Sequence, residues 1–198
     1  MTRILFRNAM VWDGSGAPAF PADVLTGGER IRAVARQPGQ LEAAGAEIVE
    51  ANGMTLMPGM IEGHAHISYI DSNVSTELGD LPPEEHTLAA MKNARLLLDR
   101  GFTGAYSAAS SKLRLDIVIR NAIDAGDIPG PRMRACGPEI TVTGGLGDER
   151  RAHQFRDSFA IVADGPVDLV CIRRRRAEVG AHAVVVGVGL APGGRQPP

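Results

Sequence analysis

The sequence predicts an α/β protein in which a strand-rich N-terminal segment precedes parallel βαβ units. Short apolar stretches separated by tight turns fill residues 1–56, and from Met57 onward strand-like and helix-like stretches alternate. A third observation is composition, because 198 residues with 44% hydrophobic and 22% charged side chains are ordinary for a globular chain. This length allows one domain, or one domain and part of another.

The N-terminal segment is predicted to be all β. We interpret short apolar stretches as strands, at residues 4–12, 23–25, 31–34, 48–49 and 54–57. Gly27-Gly28 is typical of a hairpin turn, and Asn52-Gly53 is typical of a turn between the last two strands. A β module of this size buries little apolar surface alone, so we expect it to pack against another layer.

A helix is predicted over residues 84–100. Its apolar positions recur with a period of 3.6 residues, at Leu88, Met91, Ala94, Leu97 and Leu98. Gly101 follows as the expected C-terminal cap. Glu84-Glu85-His86 stands at the helix start, where acidic side chains favour the helix dipole, so we expect a capping role there.

The rest of the central segment continues the alternation. We predict a strand over residues 102–108, a second helix that ends near Gly126, and a further strand over residues 133–136. Cys136 ends that strand and is expected to be a core residue. Strands that alternate with helices at this spacing pair in parallel, so βαβ units are predicted.

Composition and charge exclude several classes of protein. The formal net charge is −2 and 4% of residues are aromatic, so neither a nucleic-acid surface nor attraction to an anionic membrane is predicted. No stretch approaches the ~20 apolar residues of a membrane helix, and residues 1–7 lack a signal-peptide pattern. Two cysteines are too few for a disulfide framework, so we expect a cytoplasmic protein.

His64-Ala65-His66 is the sharpest chemical feature of the sequence. On an extended strand, residues i and i+2 point to the same face, so both imidazoles project to one side. Two neutral imidazoles placed in this way can chelate a divalent metal such as zinc. A bare His-x-His pair also arises by chance or as a solvent-facing pair, but residues 57–63 before it strengthen the metal interpretation.

The segment that ends in the histidine pair reads Met57-Pro58-Gly59-Met60-Ile61-Glu62-Gly63-His64-Ala65-His66. It resembles the first-strand signature of the amidohydrolase superfamily of metal-dependent hydrolases, and other segments resemble its imidazolonepropionase-like and Xaa-Pro-dipeptidase-like branch. The resemblance extends over about residues 1–165. Further similar segments are residues 8–14, 101–103, 128–132 and 140–145.

The resemblance implies a partial (β/α)8 TIM barrel preceded by a small β-sandwich. It also implies hydrolysis of a C–N bond, in an amide, cyclic amide or dipeptide-like substrate, by metal-activated water. His64 and His66 are the implied metal ligands, and Tyr69, in the loop after the first strand, is a candidate substrate-binding residue. The implied cofactor is a divalent metal, with zinc as the first candidate, in a mono- or binuclear centre. The implied substrate is a small molecule. We also expect a homo-oligomer.

The residues that would complete such a centre are not evident in this chain. The bridging lysine of the superfamily has no counterpart, because Lys92 and Lys112 both precede the expected fourth strand, where His182 lies among valines. Catalytic zinc normally has three protein ligands. We therefore assign no catalytic residue, and we expect negligible activity from this chain alone.

Three segments are predicted: a β-sandwich segment over residues 1–56, the first βα units of the barrel over residues 57–165, and an atypical tail over residues 166–198. Arg, Ala, Gly, Val and Pro supply 22 of the last 28 residues. This composition is typical of GC-rich DNA read out of frame, and a natural short paralogue with a basic extension is the competing interpretation. The alternative to an incomplete hydrolase is an inactive remnant that acts as an oligomerising or non-functional fragment.

Overall fold

A computed structural model of the chain describes residues 2–70, 77–148, 160–178 and 180. It divides into an N-terminal unit, Met1–Pro58, and a C-terminal unit, Gly59–Pro198. The boundary lies two residues beyond the predicted end of the β segment, while the three-part division itself stays a prediction. His182 and most of the predicted tail lie outside the described residues.

The N-terminal unit contains one five-stranded sheet. Its strands are Arg3–Val11 (β1), Phe20–Gly27 (β2), Arg30–Ala35 (β3), Glu47–Glu50 (β4) and Thr55–Leu56 (β5). The strand order is β3-β2-β1-β4, and β5 also pairs with β1. Among the described residues of this unit, the strands form this one sheet, so the two-layered β-sandwich stays a prediction.

Two turns organise this sheet. Gly28 has a φ of 59° and joins the antiparallel strands β2 and β3 in the predicted hairpin. Asn52 and Gly53 also have positive φ, 49° and 82°, as the predicted turn requires. However, β4 and β5 both run parallel to β1, so this turn shifts the chain along one edge of β1 and does not make a hairpin.

The C-terminal unit is built on parallel strands, which confirms the predicted α/β class. Met60–Ala65 (β6), Phe102–Ser107 (β7) and Arg132–Arg134 (β8) form a sheet in the order β6-β7-β8. Glu139–Thr141 (β9) and Ala160–Val162 (β10) form a second parallel pair. The helices of this unit are Glu77–Asp80 (α1), Pro83–Asp99 (α2), Leu115–Ala125 (α3) and Pro166–Glu178 (α4).

Small side chains dominate the core between the β6-β7-β8 sheet and its helices. Ala90 and Ala94 of α2 are fully buried, and they pack with Ala65, Ile67, Ala105, Leu115, Ile119 and Met133. Leu88 was expected on the apolar face of α2, but its side chain is 63% exposed. The buried face is therefore rotated toward His86, Ala90 and Ala94, because alanine lets the helix approach the sheet closely.

Glycine follows α2 and α3 of the C-terminal unit. Gly101 follows α2 with a φ of 88°, and Gly126 caps α3 with a φ of 81°. Left-handed backbone at this position is cheapest for glycine, which explains why both predicted helix ends are correct. Among the described residues, no helix is long and apolar enough to span a membrane.

Candidate metal centre

The two histidines of the His-x-His pair lie at the carboxyl end of β6. His64 belongs to the strand, and His66 follows its last residue, Ala65. Their ring centroids are 4.8 Å apart and the rings are nearly perpendicular, at 75°. The two imidazoles therefore lie together on one side of the strand, as the alternation of an extended chain requires.

The environment of His66 favours its neutral form. Desolvation by burial is the largest effect and lowers the pKa of the ring, while a hydrogen bond with the backbone of Ala109 raises it. The nearby His64 lowers this pKa further, and the Glu139 carboxylate raises it. The net direction is downward, so the imidazole is neutral near pH 7, which is the form that binds metal.

One nitrogen of His66 is free to act as a ligand in the described part of the chain. Its Nδ1 atom is buried and has no hydrogen-bond partner there. A buried ring nitrogen without a partner carries a desolvation cost that a metal ion would offset. This atom therefore supports a metal site beside His66.

His64 is the exposed member of the pair. Its backbone N–H donates a hydrogen bond of 2.9 Å to Glu62 Oε1, which ties the Glu62 side chain back to the strand. Both histidines line a cavity of about 470 Å³ together with Glu62 and Tyr69. Both histidines therefore border a cavity that is open to solvent.

The described residues supply part of a metal site. Among them, no group of three His, Cys, Asp or Glu side chains is arranged to hold a metal ion. Two neutral imidazoles fit zinc or a first-row neighbour by their chemistry. A firmly bound catalytic zinc normally requires a third protein ligand.

Tyr69 packs directly on His66. Its backbone N–H donates to His66 O at 3.0 Å, and this turn brings the two rings together with centroids 4.2 Å apart and planes 23° apart. The phenol hydroxyl donates a hydrogen bond of 3.4 Å to Glu139 Oε1 of β9. Burial, followed by the Glu139 carboxylate, raises the pKa of Tyr69, so the hydroxyl remains a donor.

The sequence analysis did not predict a buried polar network at the ends of β7 and β8. Ser107, the last residue of β7, donates a hydrogen bond of 2.5 Å to Asp116 Oδ2 in the first turn of α3. The Ser107 hydroxyl also lies 2.9 Å from Cys136 Sγ. Cys136 is fully buried, in agreement with its expected core position. A serine that ends a strand and an aspartate that starts the next helix were the signals available.

Asp116 is fully buried, and burial disfavours the ionised form of its carboxyl group. Burial raises its pKa from 3.8 to about 6, although hydrogen bonds from Ser107, Ser110 and Ser68 oppose this shift. These hydroxyls come from the segment after β6, from β7 and from the segment after β7. Asp116 therefore joins the ends of two neighbouring strands, β6 and β7.

His86 does not have the expected capping role. It is fully buried, and its Nε2 atom lies 2.6 Å from Ser68 O in the segment after β6. Pro82 is the N-cap residue of α2, and no side chain caps that end. His86 faces the core because it shares the buried stripe of Ala90 and Ala94.

Comparison with solved structures gives consistent neighbours. An amidohydrolase matches with a TM-score of 0.78 at 27% identity, and a prolidase in complex with N-methylphosphonate-L-proline matches with a TM-score of 0.77 at 25% identity. Each match covers 93% of this chain and 46% of the other chain. The chain is similar to the amidohydrolase superfamily. The resemblance to this superfamily that the sequence predicts is thereby confirmed.

The similarity to curated relatives is weaker and covers a smaller share of this chain. The dihydroorotase of Streptomyces coelicolor is 30% identical over 111 residues, which are 56% of this chain and 21% of that enzyme. No family model matches the chain. This amidohydrolase-like chain thus spans less than half of the solved chains it matches, and those neighbours and relatives are hydrolases that act on C–N bonds.

Proposed function

We propose that this chain provides the first part of the metal centre of a hydrolase that cleaves a C–N bond in an amide, a cyclic amide or a dipeptide-like substrate. The observation that carries the proposal is the convergence of the His64 and His66 rings, with centroids 4.8 Å apart, at a solvent-accessible cavity. The amidohydrolase and prolidase neighbours support the same reaction class.

His64 and His66 would hold the cation through neutral ring nitrogens. A divalent metal bound there, with zinc the first candidate, polarises a carbonyl group and lowers the pKa of water toward neutrality. The chain keeps His66 neutral by burial and leaves its Nδ1 atom without a competing partner among the described residues. Tyr69 also lines the cavity, and its contact with substrate stays a prediction.

The chain alone is expected to bind metal weakly and to turn over negligibly. Two imidazoles lack the third ligand that a catalytic zinc normally has, and the described residues offer no group of three candidate ligands. No general base is assigned among them. In a complete enzyme the barrel would supply the remaining ligands at the carboxyl ends of other strands.

Zinc titration of the purified chain tests the proposal. We expect calorimetry near neutral pH to detect binding that weakens by more than roughly tenfold in the double variant His64→Ala/His66→Ala. His153→Ala is the matched control, because it removes an imidazole elsewhere in the sequence. Equal zinc affinity in the wild type and the double variant would contradict the proposed function.

An inactive remnant that associates with itself is the second candidate. Among the described residues, β6 and β8 each pair with one neighbour, so the parallel sheet offers backbone groups along two edges. If removal of both imidazoles changes neither zinc binding nor any other property, this candidate is favoured. We propose a cytoplasmic location for either candidate, because Cys136 and Cys171 form no disulfide in the described part of the chain.

A further inference from the structure

Tyr69 holds the ring of a proposed metal ligand from one side. The centroid separation of 4.2 Å and the angle of 23° place the phenol face to face with the imidazole of His66. The second histidine meets the same imidazole edge-on, at 75°. His66 is thus the middle ring of a set of three, and its two faces are not equivalent.

Tyr69 is itself fixed at both ends of its side chain. The turn from His66 O to the Tyr69 N–H sets its backbone, and the Glu139 carboxylate accepts its hydroxyl across 70 residues of sequence. The other oxygen of Glu139 is buried without a hydrogen-bond partner among the described residues. A buried carboxylate in that position contributes to the site by anchoring the phenol.

We propose that Tyr69 is a positioning residue for His66, and that Glu139 of β9 anchors it. The stack fixes the rotation of the imidazole ring, so that the ring meets a cation without first losing rotational freedom. This inference rests on the proposed function, because it gives the stack a role in metal binding. It gives Tyr69 a role beside the predicted contact with substrate, because its hydroxyl donates to Glu139 and its ring packs on His66.

The physical reason is pre-organisation. An imidazole that rotates freely must give up that freedom when it binds a metal, whereas a stacked ring has already done so. Groups that orient a metal ligand typically change metal affinity by roughly 10- to 100-fold when they are removed. Face-to-face contact is supplied by the phenyl ring, so it does not require the hydroxyl group.

Two variants separate the stack from the hydroxyl. Tyr69→Leu removes the aromatic face, and Tyr69→Phe keeps it while removing the hydrogen bond to Glu139. Tyr106→Leu is the matched control, because Tyr106 is the other tyrosine of the chain and lies exposed on β7. Circular dichroism identifies any variant that loses its fold.

The first measurement needs no metal. In NMR spectra of histidine-labelled apoprotein, the ring protons of His66 should be displaced upfield, because they lie over the face of Tyr69. His66→Gln assigns the resonance. We expect Tyr69→Leu to abolish the displacement, while Tyr69→Phe and Tyr106→Leu retain it. An unchanged His66 signal in Tyr69→Leu would overturn the stacking arrangement.

The second measurement is zinc affinity by calorimetry. We expect Tyr69→Leu to weaken binding by roughly tenfold. Tyr69→Phe keeps the stacked ring and loses only the hydrogen bond to Glu139, so it should weaken binding by a smaller factor. Wild-type affinity in Tyr69→Leu overturns the positioning role, and so does an equal loss in both Tyr69 variants, since the hydroxyl would then be responsible. If the wild type itself does not bind zinc through its histidine pair, the proposed function is wrong. This outcome is distinct from the two that overturn the positioning role of Tyr69, because both of those require zinc binding by the wild type.

Discussion

At the scale of single residues, burial decides which side chains of the C-terminal unit carry charge. Desolvation lowers the pKa of both His66 and His86, and it raises the pKa of Asp116 to about 6. Neutral forms are favoured in all three cases, because the charged form loses its hydration in the core.

Asp116→Asn should change the pH dependence of stability. The folded pKa of Asp116 lies above its unfolded value of 3.8, so the native state binds the proton more tightly. The contribution of Asp116 to the free energy of unfolding is therefore fully present below about pH 4 and is lost as pH rises through about 6. A shift of about two pKa units corresponds to roughly 3 kcal/mol. The amide of Asp116→Asn does not ionise, so it loses no such contribution. The free energy of unfolding of the variant should therefore increase relative to that of the wild type as pH rises from about 4 to about 6.

Urea unfolding between about pH 4 and pH 7 measures this difference. The useful quantity is the change with pH, because any constant cost of the amide then cancels. Asp124→Asn is the control, since Asp124 lies exposed on the same helix, α3. A difference between Asp116→Asn and the wild type that stays constant across the interval would show that Asp116 ionises as readily in the folded protein as in the unfolded chain.

At the scale of elements, close approach at the start of β6 and β7 fixes their pairing. A Cβ atom added to Gly59 would clash with Thr103 Cγ2 and Oγ1 and would lie 2.7 Å from Thr103 Cβ. Rotation of the threonine cannot relieve the last contact. Met60 pairs with Phe102 directly beyond this point, so the contact lies where the two parallel strands begin.

Gly59→Ala is therefore expected to destabilise the C-terminal unit by about 1–3 kcal/mol, as overpacking typically does. Gly63→Ala is the matched control, because a Cβ atom there meets nothing within 4 Å. Thermal unfolding of the single variants and of Gly59→Ala/Thr103→Gly completes a double-mutant cycle. Additive effects in that cycle would mean that Thr103 is not the cause of the loss.

Elements that depend on local signals could be predicted from the sequence, whereas those that depend on distant partners could not. Gly101 and Gly126 mark helix ends because one left-handed residue ends a helix. The histidine pair could be found because the alternation of a strand places both rings on one side. The parallel pairing of β4 and β5 with β1 has no local signal, and neither does the contact of Tyr69 with Glu139, 70 residues away.

At the scale of the whole molecule, the N-terminal unit leaves apolar surface open to solvent. One region of its sheet lines a cavity of about 540 Å³, where Trp12, Ile31 and Val34 are exposed. Arg36 covers the Phe20 ring at 3.8 Å and so shields part of this surface. Exposed apolar side chains grouped in this way favour association, and we propose that a second copy of the chain covers them.

Ile31→Lys should weaken this association. Ile31 is 69% exposed and lines the cavity, so a second copy that covers it would gain the transfer free energy of an isoleucine side chain. That gain of about 1.5–3 kcal/mol corresponds to tenfold or more in the association constant.

Met54→Lys is the control, because it adds the same charge at a residue that is 63% exposed but does not line the cavity. Sedimentation velocity over a range of protein concentrations should therefore show a smaller species for Ile31→Lys and an unchanged one for Met54→Lys. Equal effects of the two lysines would attribute the change to net charge, and no effect of either would place the contact between copies elsewhere, with the edges of β6 and β8 next to be tested.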